Sequence, residues 1–170
     1  SREGYRAVFS HDGERAYPGV YEVDLEVADV RLTATDHTAL HDYAFKGGDP
    51  VLVIDLGHSL GRGKVRAGSV EVAENGRGVE GWLRLEGEMS DEFPIWFHAE
   101  TDIAAESWGV WADGAYLPGE GAAGSESGDS SLGAWLRFGG KDVSMRVALS
   151  NVDIEGARAN WEAEHGGWDF

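Results

Sequence analysis

The stretch Val20-Tyr21-Glu22-Val23-Asp24-Leu25-Glu26-Val27 sets Tyr21, Val23, Leu25 and Val27 against Glu22, Asp24 and Glu26. Successive side chains of a strand point to opposite faces, so this period of two specifies a strand with one buried and one wet face. Downstream, Val30, Leu32 and Ala34 alternate with Arg31, Thr33 and Thr35, and Asp29 is a turn or bulge residue between the two stretches. A hairpin or one bent strand fits both. Upstream, Pro18-Gly19 is a turn that must reverse the chain into Val20. The residues before it therefore lie at a sheet end, where loops carry function.

Further along, Leu40 to Phe45 reads as a strand, Gly47-Gly48-Asp49-Pro50 as a turn, and Val51 to Leu56 as a strand covered on both faces. Strands are also expected over Lys64 to Val72, Val79 to Glu86, Phe93 to Glu100, Ser107 to Ala112, Ala134 to Phe138 and Val143 to Leu149. The Gly-rich segment Gly114 to Ser131 is expected to be a mobile surface insertion within the same domain. Asn151 to His165 carries Ile154, Ala157, Arg158, Trp161 and His165 along one side at helical spacing. Ser150 with Asp153 three residues on forms a capping box for this helix, and Trp161 is expected to fasten it onto the sheets. Short, regularly spaced strands of this kind specify a sandwich or barrel.

A length of 170 residues is one domain by the usual prior, and 42% hydrophobic content with seven Trp supplies a core. The net charge of −17 repels phosphate backbones, which argues against a nucleic-acid partner. With no cysteine, disulfides and thiolate metal sites are excluded. No run approaches the ~20 apolar residues of a membrane span, and Ser1-Arg2-Glu3-Gly4-Tyr5 lacks the apolar core of a signal peptide. The chain opens directly into Tyr5 to Phe9 and stops on Trp168-Asp169-Phe170, so a piece of a longer protein is expected.

Glycoside hydrolysis needs two carboxylates across one sugar, but most acids here alternate with apolar residues on strands, as a solvated face does. No acid and base pair is assigned. His37 and His41, four apart on a strand, would sit about 13 Å from each other, too far to share a metal. Gly124-Ser125-Glu126-Ser127-Gly128 matches a serine-hydrolase elbow only as a string, and Gly61-Arg62-Gly63-Lys64 leads into a strand rather than a phosphate-binding helix. Trp82, Trp96, Trp108, Trp111 and Trp135 suit either a core or a sugar-stacking surface. In a regular strand Trp108 and Trp111 cannot both point inward, so one of them meets another surface.

The stretch from Phe9 to Val23, FSHDGERAYPGVYEV, resembles a hallmark of the N-terminal domain of glycoside hydrolase family 92. Leu32-Thr33-Ala34-Thr35, then Leu40 to Phe45 and Val53-Ile54-Asp55-Leu56, are similar to the family's next segments in order and spacing. Val143 to Ser150, the helix after it and Trp168-Asp169-Phe170 resemble its exit from this domain. The chain departs from the family pattern at His37 and Asp42, where Arg is usual.

The resemblance implies an all-β fold, an antiparallel β super-sandwich like that of galactose mutarotase-like domains, with one C-terminal helix. It also implies a parent α-mannosidase that removes terminal α-mannosides with inversion and uses calcium, its catalytic (α/α) barrel lying downstream of residue 170. Residues 1–170 would then be part of the non-catalytic N-terminal sandwich, inactive alone and binding no calcium itself. Its partners would be the barrel of the same polypeptide and mannose-containing glycans, with no nucleic acid and no membrane. A secreted or cell-surface location is expected for the parent. His11 and Asp12, with Phe9 and Glu14, are the candidates for the sugar pocket, while the main sugar contacts are expected upstream of Ser1. The competing reading is a free-standing, lectin-like carbohydrate-binding module, whose distinguishing feature would be an exposed Trp platform. A purely structural role, propping up the barrel, is the third.

Overall fold

The structure, a computed structural model, describes residues 8–58, 63–87, 92–128, 130–164 and 167–168. Among them the elements run β1 (Phe9–Tyr17), β2 (Val20–Leu25), β3 (Ala28–Ala34), β4 (Thr38–Phe45), β5 (Val51–Asp55), β6 (Lys64–Val72) and β7 (Gly78–Glu86). They continue with β8 (Phe93–Thr101), β9 (Ser107–Ala112), β10 (Ala115–Pro118), β11 (Ala122–Ser125), β12 (Leu132–Arg137), β13 (Val143–Ser150) and α1 (Ile154–Glu164). A nine-stranded sheet has the order β1-β2-β3-β4-β13-β8-β7-β6-β11, and a four-stranded sheet the order β10-β9-β12-β5. Neighbouring strands pair antiparallel throughout the described ladders. This is the expected antiparallel sandwich with a C-terminal helix.

Alternation builds the core between the sheets. Leu132, Ala134 and Leu136 of β12 point inward and are fully buried, as are Val110 of β9 and Phe138 just after β12. They meet Val70, Val79, Phe97, Ala99, Val143 and Met145 from the larger sheet. Burying side chains of this size contributes about 1.5–3 kcal/mol each before the entropy of ordering them. The smaller sheet covers only part of the larger one. Beyond it, Ala39, Phe93, Ile95, Val147 and Leu149 line an apolar groove of about 530 Å³.

Several expectations need correction. Phe9–Tyr17, expected at a sheet end, is itself an edge strand, because the turn at Pro18-Gly19 folds it back on β2; Gly19 has φ 84°, which a side chain would disfavour. Residues 5–7 lie outside the described set. Val51 and Val53 are 43% and 40% exposed, so β5 is a sheet edge covered on one face only. Within Gly114 to Ser131, β10 joins the smaller sheet and β11 the larger, with Leu117 and Ala123 packed against the core. The Leu117 and Ala123 side chains and backbone pairing order what composition alone describes as coil.

The helix begins later than expected. Asp153 Oδ1 accepts from Gly156 N at 2.7 Å and is the cap, whereas Ser150 Oγ accepts from Val152 N at 3.1 Å in the preceding turn. His165 lies outside the described residues. Trp161 does fasten the helix: the Arg146 guanidinium lies 3.3 Å from its ring centroid, and His98 meets the ring edge-on at 5.7 Å.

Candidate functional site

In β1, Phe9 lies opposite Leu25 and Glu14 opposite Val23, so Ser10 to Gly13 face the single residue Asp24. The excess bulges out of the sheet edge and carries His11 and Asp12 with it. Bulges of this kind re-aim side chains and recur beside active sites. The Asp12 amide donates to Ser10 Oγ at 3.2 Å, closing the bulge locally.

Three of the four candidate residues come together. Glu14 accepts hydrogen bonds from the Tyr21 hydroxyl and bonds to His11 Nδ1. The Tyr21 bond and then the His11 bond hold the Glu14 carboxyl below the usual carboxylate range, and the same Glu14 bond raises the Tyr21 phenol. Phe9 meets the His11 ring edge-on at 5.7 Å. The His11 side chain is 90% exposed, against 25% for Glu14, so the imidazole is the part of this cluster offered to solvent.

Asp12 separates from this group. It lines a polar groove of about 380 Å³ with Arg15, Glu22, Asp24, Asp29 and Arg31. Arg31 Nε lies 3.3 Å from Glu22, and its Nη1 is 3.8 Å from Asp42. Lys46 binds Asp24 and Asp29 and donates to the Leu25 carbonyl at 2.9 Å. Acids outnumber bases along the groove wall, where Asp12, Glu22, Asp24 and Asp29 face only Arg15 and Arg31, and Lys46 offsets part of the excess from beside it.

Tyr21 and the arginines of this groove were not among the sequence candidates. The signal existed: a hairpin closing at Pro18-Gly19 pairs Ala16 with Tyr21, which brings Glu14 beside Tyr21 on one face.

Elsewhere, His37 and His41 are apart in role as well as position. His37 Nδ1 and its backbone N contact the Glu164 carboxylate at 2.5 and 2.9 Å, while His41 is turned toward the Tyr43 hydroxyl at 2.9 Å. Burial lowers the His41 pKa and pushes the Tyr43 phenol up to about 12. A carboxylate pairing therefore exists at residue 37 despite the departure from the family's Arg. The Ser125 hydroxyl donates to the Asp113 carboxylate, with both oxygens at 2.8 Å, and ties β11 to the turn after β9. Among the described residues, no three His, Asp or Glu side chains converge to hold a metal ion.

A two-sheet antiparallel sandwich with a polar bulge on the margin of its larger sheet defines the class of domain. The chain belongs to the glycosyl hydrolase family 92 N-terminal domain family, whose model matches residues 1–150. Its fold is that of solved members. It aligns at TM-score 0.84 and 23% identity with the inverting mannosidase BT2199 from Bacteroides thetaiotaomicron, over 99% of this chain and 22% of that one. The α-mannosidase BT3965 from the same organism aligns at TM-score 0.84 and 21% identity, over 98% of this chain and 24% of that one. The family glycosyl hydrolase ccman5 aligns at 0.85 and 27% identity, over 100% and 24%. The chain spans less than a quarter of the length of these proteins. A search of curated protein sequences found no match.

Proposed function

We propose that this chain is the non-catalytic sandwich of an α-mannosidase that removes terminal α-mannosides with inversion, and that its β1 bulge helps shape the sugar pocket. The observation that carries the reading is the His11–Glu14–Tyr21 cluster on the bulge. It lies within the matched residues, is rigidly bonded at Glu14, and offers its imidazole outward. The uncovered apolar groove beside β8 and β13 suits packing against a catalytic domain of the same polypeptide. Calcium belongs to the parent enzyme in this reading, and with no converging metal ligands among the described residues, none of these side chains is assigned to it.

The test is hydrolysis of an aryl α-mannoside by this chain and by a longer polypeptide carrying the expected barrel, each with calcium and with chelator. No turnover by residues 1–170, and calcium-dependent turnover by the longer protein, is expected. Turnover by the shorter chain would overturn the division of roles.

A further inference from the structure

The outer face of the smaller sheet carries an aromatic surface built in a checkerboard. Across β10, β9, β12 and β5, one row reads Pro118, Gly109, Trp135 and Val53, and the next reads Tyr116, Trp111, Gly133 and Asp55. Each Trp thus has a glycine as its cross-strand partner. A side-chain carbon on Gly133 would fall 2.2 Å from Trp111 Cζ2, and one on Gly109 would fall 2.8 Å from Trp135 Nε1. The two indoles therefore lie down over bare backbone. Tyr116 then stacks on Trp135, with ring planes 20° apart and centroids 6.0 Å apart. Tyr116 remains 63% exposed and the two indoles are half-buried.

We propose that this surface is a glycan-binding platform for neutral pyranose rings. A flat aromatic face covers the apolar C–H patch of a sugar ring, and polar groups at the margin take up its hydroxyls. Such groups flank the rings here: Asp55, whose Oδ1 accepts from Gly57 N at 2.9 Å, ends one row, and Arg137, paired with Asp49 at 2.7 Å, lies next to Trp135 on the same face. Charge selects among occupants. A chain of net charge −17 repels a second copy of itself and any nucleic acid, while a neutral glycan incurs no such penalty. The inference rests on the chemistry of this face and stands independently of the mannosidase reading.

The experiment titrates the chain with mannobiose and, separately, with cellohexaose, following Trp fluorescence and sedimentation. Binding of either sugar at a Kd of about 1 mM or tighter is expected. Tyr116→Ala should weaken it by ~fivefold or more, and Trp135→Ala should abolish it. Because Tyr116 is so exposed, its variant keeps the melting temperature of the parent chain, which separates loss of contact from loss of fold. Three results would overturn the proposal: no binding of either sugar at ~20 mM, a Kd unchanged by Tyr116→Ala, or a dimer that Tyr116→Ala dissociates. The last would make a second copy the occupant.

Discussion

At the scale of single residues, Glu14 is the point on which the candidate site turns. Two donors hold its carboxylate, and the hydrogen bonds from Tyr21 and His11 keep it ionised at lower pH than an ordinary glutamate. His11 contributes little to the fold because its ring is almost wholly in solvent. In the longer enzyme, His11→Ala should therefore cut kcat/KM by about tenfold or more while the melting temperature stays nearly constant. Parallel losses of activity and stability would mean that the bulge is only a structural feature. His11, Asp12, Phe9 and Glu14 were legible because the turn at Pro18-Gly19 and the family resemblance both point to them. Tyr21 was not, since its role depends on the register of β1 against β2, which no alternation within Phe9 to Tyr17 announces. Asp12 was grouped with the others by proximity in sequence, and the bulge sends it to a different groove.

At the scale of elements, α1 is fixed at its middle and at its end. At mid-helix Arg158 reaches Glu80 at 2.5 Å; burial pushes Glu80 up, but the bonds from Arg158 and His98 outweigh this and keep it low. Near its end Glu164 accepts from the Thr35 hydroxyl at 2.5 Å and from His37, which brings its carboxyl down to about 2. A carboxylate depressed in the folded state contributes stability that is complete above its unfolded pKa, near 4.5. That contribution declines as pH falls toward 2. The melting temperature of Glu164→Gln should therefore lie below that of the parent chain at pH 6, with a clearly smaller gap at pH 3. A gap of the same size at both pH values would contradict this. Trp161→Ala should cost about 3 kcal/mol, or roughly 6–12 °C, because it removes the surface under Arg146 and His98. The periodicity of Ile154, Ala157 and Trp161 made the helix legible. Its cap was misplaced by one turn because Ser150 and Asp153 are equally good capping residues, and the end of β13 at Ser150 decides between them.

At the scale of the whole molecule, the number and alternation of strands announced a sandwich, but not which strands make which sheet. Chain order is uninformative there: β5 precedes its neighbour β12 by seven strands in the sequence, and β13 inserts between β4 and β8. Such pairings are set by long-range packing that no local pattern encodes. The same limit hid β10 and β11. These two four-residue strands are separated only by Gly119, Glu120 and Gly121, yet they belong to opposite sheets. Val72 N donates to the Gly121 carbonyl at 2.7 Å and Gly119 N to Trp108 O at 2.9 Å, so the crossing is bonded to both layers. The sandwich is thus stitched at this margin, its spine, while β5, reached from β4 and leading on to β6 of the larger sheet, is the outermost strand of the smaller sheet on the opposite fore-edge. Thermal breathing should begin at that fore-edge, and amide exchange followed by mass spectrometry should find β5 releasing its protons before β9 and β6 do. Equal protection on the two sides would show that the spine carries no strain when the leaves part. If it does carry it, a single protease cut between Gly119 and Gly121 would leave every strand in place and yet turn a slow-opening molecule into a fast one.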